Sequence, residues 1–318
     1  MKKSIQRVKF RIPHIRYHIQ DGRLYVKIFH HESGDEELIV KVKQIQHIWM
    51  KEYDIIKIGE TYKVWTRFDS KPDSTGTTFL VMRVPQIGDL FLKSLQGHIQ
   101  SLFRYTLPIG LLLEMEKISN NIPSFKNISE SFLRAHSIDA DVIGNFFKKY
   151  PNQKSTHIKA EIKGELTQDS RIFKMKSVGV QKDLRGSMFL KNFTGQHLYL
   201  YRTTVQNSDI VEFLNKWVAS ENYQKLKTLQ IDVTTDLRIL PEQILGNFEI
   251  EEFDHADPSR RPSNFHYNPE LIQVARRNEC IRNTRFKEIR RKSDGKRAFL
   301  RCWGYRFLFF VEDETHNL

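Results

Sequence analysis

The chain has 318 residues, 51 Lys+Arg against 38 Asp+Glu, and a formal net charge of +13. At roughly 150 residues per domain it suggests one large domain or two smaller ones, and 39% hydrophobic with 12% aromatic residues argues against wholesale disorder. The sequence has no apolar run of about 18 residues, no secretory core at its start, and only Cys280 and Cys302 as thiols, which excludes a bilayer-spanning helix and a disulfide framework and predicts an intracellular protein, cytoplasmic or nuclear, with no membrane partner.

The first third alternates as strands do. Leu24, Val26 and Ile28, then Leu38, Val40 and Val42, keep a period of two. Residues 62–68 and 78–84 repeat the pattern across a connection dense in turn formers. An N-terminal antiparallel sheet is expected over about residues 8–84. Residues 86–105 read as a helix, with Leu90, Leu92, Leu95, Ile99, Leu102 and Phe103 near one face.

The texture then changes to alternating strands and helices. Strands are expected at 109–115, 157–162, 172–180, 197–203, 226–233 and 248–253, and helices at 139–150, 208–220 and 241–246. The clearest unit runs from 196 to 233. A strand at His197 leads through Asn207-Ser-Asp, a helix cap, to a face of Ile210, Phe213, Leu214 and Trp217, and then to a second strand. Parallel pairing through a crossover helix suits that spacing. Leu198-Tyr-Leu and Leu229-Gln-Ile are similar to the strand of a leucine-rich repeat, so a degenerate leucine-rich-like βα region is expected.

After a polar linker at 257–264 comes a helical turn at 270–277 and then the most basic stretch. Twelve basic residues stand against three acidic ones between Arg276 and Arg306, a net of +9 out of the total of +13. Asp294-Gly295 lies between two alternating runs, the signal for a two-residue type I′ hairpin. That turn pairs Arg290 with Phe299, Glu288 with Arg301 and Ile289 with Leu300. It buries the Ile289/Ala298/Leu300/Cys302 face and exposes Arg290, Phe299, Glu288 and Arg301. A third strand follows at 305–311. The fold class is α+β in three segments: residues 1–105, β-rich with a helix; 106–256, leucine-rich-like; and 257–318, a linker and basic hairpin.

The segment Phe193-Thr-Gly-Gln-His-Leu-Tyr-Leu, with Ser208-Asp-Ile-Val-Glu-Phe-Leu-Asn-Lys-Trp217 and Leu226-Lys-Thr-Leu-Gln-Ile231, resembles the type 2 F-box-associated domain, a family expanded in nematodes. The hairpin Phe286-Lys-Glu-Ile-Arg-Arg-Lys-Ser-Asp-Gly295 is similar to that family's C-terminal segment. The resemblance centres on about 188–256, and its motifs cover under a third of the chain. It implies a non-catalytic protein-recognition module, the substrate-receptor part of an F-box protein in an SCF-type ubiquitin ligase. Such proteins usually carry an N-terminal F-box that binds the Skp adaptor. None is evident before Asp21, so that partner is expected only if an F-box stands upstream.

No nucleophile elbow, P-loop, HExxH or dinucleotide motif is present, and no enzymatic role, cofactor or metal is expected. His14 and His18, four apart, lie about 13 Å from each other on a strand and read as surface histidines. Asp139 and Asp141 suit a helix start better than an acid/base pair. Trp217 reads as core. Charge arithmetic nominates Arg290, Arg291, Phe299 and Arg301 as partner contacts, with an acidic protein target as the favoured partner. The alternative is a nucleic-acid-binding protein using the same hairpin, and a solvated edge that blocks strand pairing also fits it.

Overall fold

A computed structural model describes residues 14–29, 36–45, 53–59, 62–70, 78–103, 109–262, 264–266, 278–280 and 285–312. The helical turn expected at 270–277, together with Arg276, Arg277, Arg282, His30 and His31, lies outside the described residues. The protein is a mixed α/β structure of two compact units, residues 1–135 with 148–153 and residues 136–147 with 154–318. Among the described residues no helix is long and apolar enough to cross a membrane.

The first unit contains β1 (Ile15–Gln20), β2 (Arg23–Phe29), β3 (Glu36–Gln44), β4 (Asp54–Ile58), β5 (Tyr62–Ser70), β6 (Thr78–Val84), helix α1 (Asp89–Phe103), β7 (Ile109–Glu114) and β8 (Lys117–Ile118). Strand β9 (Ile128–Asp139) begins here. The sheet order is β9-β7-β1-β2-β3-β6-β5-β4. It is mixed, which corrects the antiparallel expectation: β1 runs parallel to β7, and β3 parallel to β6. Period-two patterning marks a strand but carries no direction, and helix α1 is the connection that lets β6 lead to a strand parallel to β1. Asp21 and Gly22, at φ 47° and 71°, form a two-residue turn closed by the Gln20–Arg23 pair.

One face of this sheet is apolar and meets α1, where Tyr62 packs edge-on against Phe91. The buried Phe91, Leu92, Leu95 and Ile99 of α1 recur at helical spacing. The amide of Gln96 joins the Lys126 backbone with two hydrogen bonds, 2.7 and 2.8 Å long. That satisfies a polar side chain inside the core.

The second unit contains α2 (Ala140–Lys149, its last residues in the first unit), β10 (Ser155–Lys163), β11 (Ser177–Gln181), α3 (Gly186–Asn192), β12 (His197–Thr203), α4 (Asn207–Val218), β13 (Thr228–Val233) and α5 (Pro241–Leu245). Beyond them lie β14 (Asn264–His266), β15 (Asn278–Cys280), β16 (Lys287–Arg290), β17 (Arg297–Trp303) and β18 (Arg306–Val311). The main order is β16-β17-β18-β13-β12-β11-β10, while β14 and β15 pair separately. Strands β10 to β13 are parallel, as the β12–α4–β13 spacing requires; β13, β18, β17 and β16 are antiparallel.

Helix α4 opens with a capping box between Gln206 and Asp209. It buries Ile210, Phe213, Leu214 and Trp217, each worth about 1.5–3 kcal/mol of apolar burial. Phe213 and Trp217 meet the Phe309 ring edge-on at 5.1 and 5.2 Å.

Three strand expectations change. Residues 172–180 divide into a 3₁₀ turn at Arg171–Lys174, where the Phe173 N–H donates to the Ser170 carbonyl, and strand β11. Residues 248–253 form no strand and pair with β16 through the isolated Glu251–Glu288 bridge. Strand β4, strand β9 and helix α3 had no counterpart in the sequence reading.

The hairpin register is also corrected. Ile289 pairs with Ala298, Glu288 with Phe299 and Arg290 with Arg297, two residues from the expected alignment. The Arg291 N–H donates to the Lys296 carbonyl and the Gly295 N–H to the Arg291 carbonyl, so the loop has four residues, 292–295. Tertiary contacts select the longer loop. The Lys292 N–H donates to Val218 O at the end of α4, and the Ser293 hydroxyl meets Ser220 at 2.5 Å. A shift of two preserves which residues share a face, but both faces are covered. Phe299 and Glu288, expected in solvent, are 0% and 2% exposed. Phe265 stacks on Phe310 at 4.4 Å and, with Tyr199, Phe286, Leu308 and Phe299, closes the second face.

Candidate functional site

The four nominated residues do not form one cluster. Arg290 is exposed and donates from Nε to Glu251 Oε1 at 2.6 Å and from Nη2 to Glu288 Oε1 at 2.9 Å. Arg291 is buried, 5.5 Å over the Trp217 ring, and its guanidinium grips Asp294 at 2.9 and 2.5 Å. That grip holds the Asp294 carboxyl down at about 2. Phe299 belongs to the core and offers no surface to a partner. Arg301 is half-buried, with its guanidinium 4.1 Å over the Trp303 ring.

Arg290 and Arg291 line a cavity of about 610 Å³ with Asn215, Val218, Phe248 and Ile289. The acidic residues Glu221, Glu249 and Glu251 share that lining.

The basic segment is less cationic in space than in sequence. Lys287 pairs with Glu252, Arg290 with Glu251 and Glu288, Arg297 with Glu288 and Glu312, and Arg306 with Asp232. Four of these carboxylates come from outside the segment, beyond the reach of a local charge count. Buried Glu288 is the hub. Arg297 holds it with bonds of 2.8 and 3.0 Å, and Arg261 approaches at 3.6 Å. Arg261, buried in the expected linker, donates to the carbonyls of Phe286 and Glu251.

A partly exposed row lies elsewhere on the same sheet. Helices α3, α4 and α5 adjoin one another, and α4 covers the face of Leu229, Ile231, Phe307 and Phe309. On the opposite face the register aligns Lys159, Gln181, Tyr201, Asp232, Arg306 and Trp303 across six strands. In the adjoining row Leu308 is buried in the core and Arg301 is half-buried. The guanidinium of Arg306 chelates Asp232 at 2.5 and 2.8 Å and lies 5.6 Å over the Trp303 ring, which therefore carries a cation from each of two strands. Arg238 lies 5.7 Å over exposed Tyr305 beside this row. A ring and a guanidinium ordered against each other lose little entropy when a partner covers them. Of this surface only Arg301 was nominated from sequence. Each strand shows alternation by itself, but pairing over more than 70 residues is what aligns Asp232 with Arg306.

The remaining sequence candidates resolve as follows. Asp141 stands in the first turn of α2. Burial pushes the Cys302 thiol up to about 12, so it stays protonated at neutral pH. His14 and His18 are buried, contrary to the surface expectation. Their Nε2 atoms lie 3.3 and 3.1 Å from Glu130 on β9 and Glu114 on β7. Gly110 makes room for His14, since a Cβ there would meet its Nε2 at 2.7 Å.

No protein-family model, curated protein or solved structure matches this chain.

Proposed function

We propose that the protein is a non-catalytic recognition module, of the kind that presents a target in an F-box-type ubiquitin ligase, and that the target docks on the face of the second unit opposite α4. The observation that carries this reading is the register-aligned row Tyr201, Asp232, Arg306 and Trp303, with Arg301 stacked on Trp303 at 4.1 Å. Tyr, Trp and Arg dominate binding energy at protein interfaces, where a few anchors outweigh total area. Phe265 and Phe286 close part of the face opposite α4, so the docking is confined to the row in which Tyr201, Arg306 and Trp303 keep part of their surface, and the leucine-rich-like reading of residues 106–256 belongs to this proposal. The chemistry of modification would reside in partner subunits.

The experiment compares crosslinked partners of the full chain with those of Trp303→Ala and Arg301→Ala in native extract. The expected result is a discrete set of proteins lost in both variants and retained in Lys216→Ala, which alters an ion pair on α4. Equal recovery by all three would remove this face from the proposal. Co-purification of the Skp adaptor with the full natural transcript product tests the ligase arm separately. The hairpin is a weaker nucleic-acid tract than its sequence suggests, since Lys287, Arg290, Arg291, Arg297 and Arg306 each already hold a carboxylate.

A further inference from the structure

We infer that the face of the first unit's sheet opposite α1 is a binding site for single-stranded nucleic acid. The inference is independent of the second unit's face. Tyr62 meets α1, so Trp65 and Arg67, its odd-numbered neighbours on β5, point to the other side.

On that side the register sets Lys43 beside Arg83 and Arg83 beside Trp65, with Ile55 next in the row and 61% exposed. A second row runs Tyr25, Lys41, Val81, Arg67. Arg23 stands exposed at the start of β2. Cations and rings interleave: Lys41 lies 5.7 Å over Tyr25, and Tyr53 receives Arg67 at 5.1 Å and Arg83 at 5.9 Å. Tyr25, Tyr53 and Trp65 are half-buried, so each keeps part of its ring in solvent.

The cations are crowded without equivalent countercharge. Arg67 is matched by Asp69 at 3.2 Å. Among the described residues no ion pair is formed by Arg23, Lys41, Lys43 or Arg83. Partial burial, with Lys41, Arg83 and Arg23 close by, lowers the Lys43 pKa. Farther along the same face Glu36 neutralises Arg16 and Lys27, which confines the excess charge to the β2–β3–β6–β5 region.

Neighbouring strands place these groups about 4.8 Å apart. A polyanion fits that charge, and the ring faces beside the cations select one whose bases are free to stack. Duplexes hide those base faces, and an acidic peptide carries no bases to stack on the rings. Single-strand sites combine a basic track with aromatic platforms in this way.

The test is fluorescence anisotropy of the full chain with labelled twelve-nucleotide oligouridylate and oligothymidylate over a range of salt. Four neutralised phosphates at about 0.7 each predict a log–log salt slope near −3. The double variant Lys43→Glu/Arg83→Glu is expected to weaken binding at least tenfold. Trp65→Leu should weaken it roughly 5- to 100-fold at unchanged slope, as loss of one stacked base does. Arg23→Glu, at an exposed position, gives the charge readout if the double variant does not fold. Arg301→Ala, in the other unit, should leave oligonucleotide binding unchanged, so failure here and failure of the protein-recognition reading are separable. The inference is overturned if neither oligonucleotide binds, if Trp65→Leu has no effect, or if polyglutamate or a duplex of the same charge competes equally.

Discussion

Glu288 and Arg297 meet through two hydrogen bonds, Nε to Oε1 at 2.8 Å and Nη2 to Oε2 at 3.0 Å, around a carboxylate that is 2% exposed. The pair lies between β16 and β17, within reach of Arg290 and Arg261. Removing the charge would leave Arg261 beside an uncharged group and Arg297 with Glu312 in place of two carboxylates. Glu288→Gln should lower unfolding stability by about 3 kcal/mol, at the lower end of the cost of breaking a buried ion pair. Urea denaturation with an unchanged m-value is the expected signature.

Asp294 ties the hairpin loop to Arg291, and its carboxyl is held at about 2. A depressed carboxylate contributes stability that is complete above its unfolded pKa near 4 and lost as pH falls through about 2. The side chain is half-exposed, so solvent screening limits the effect to about 1 kcal/mol at neutral pH. Asp294→Asn should therefore destabilise the protein at pH 6 and have little effect at pH 2. Chemical denaturation at the two pH values distinguishes this from a uniform loss.

Gly22 sits at φ 71°, and a Cβ built there meets nothing within 4 Å. The cost of Gly22→Ala is then backbone strain alone, about 1 kcal/mol. A small fall in melting temperature with no change in the circular dichroism spectrum is expected. A loss several times larger would mean that the turn also carries a packing contact.

Burial, with Lys27 as the next cause, lowers the pKa of His18 despite its contact with Glu114. A lowered histidine contributes stability present above its unfolded value near 6.5 and lost as pH falls through the folded value. His18→Gln should flatten the acid limb of the stability profile below pH 6.5. Nuclear magnetic resonance titration of the imidazole gives the folded pKa directly, and a value above 6.5 would contradict the assignment.

The two Asp-Gly dipeptides show how far local signals reach. At Asp21-Gly22 the turn is the two-residue form that such dipeptides favour. At Asp294-Gly295 the same dipeptide sits in a four-residue loop. There the packing of Arg291 over Trp217 and the hydrogen bond from Lys292 to Val218 outweigh the local preference. The α4 core face and the β12–α4–β13 crossover were legible because both depend on spacing within about 35 residues. The row from Lys159 to Trp303 was mostly hidden, since it is assembled by pairing β10 through β13 with β18 and β17.

The sequence alone determined that strands and helices alternate, that Leu92, Leu95 and Ile99 of α1 and Ile210, Phe213, Leu214 and Trp217 of α4 point inward, and that the chain carries +13, whereas Leu90, expected on the α1 face, is 62% exposed. Those are properties of periodicity and composition, and neither needs a distant neighbour. Only the tertiary structure decided where the charge is effective. Glu251, Glu252, Asp232 and Glu312 neutralise much of the basic C-terminal segment, while Arg23, Lys41, Lys43 and Arg83, drawn from three strands, gather on a face that a linear count spreads along 61 residues. Electrostatic interaction falls with distance in space, and sheet pairing sets that distance without regard to separation along the chain.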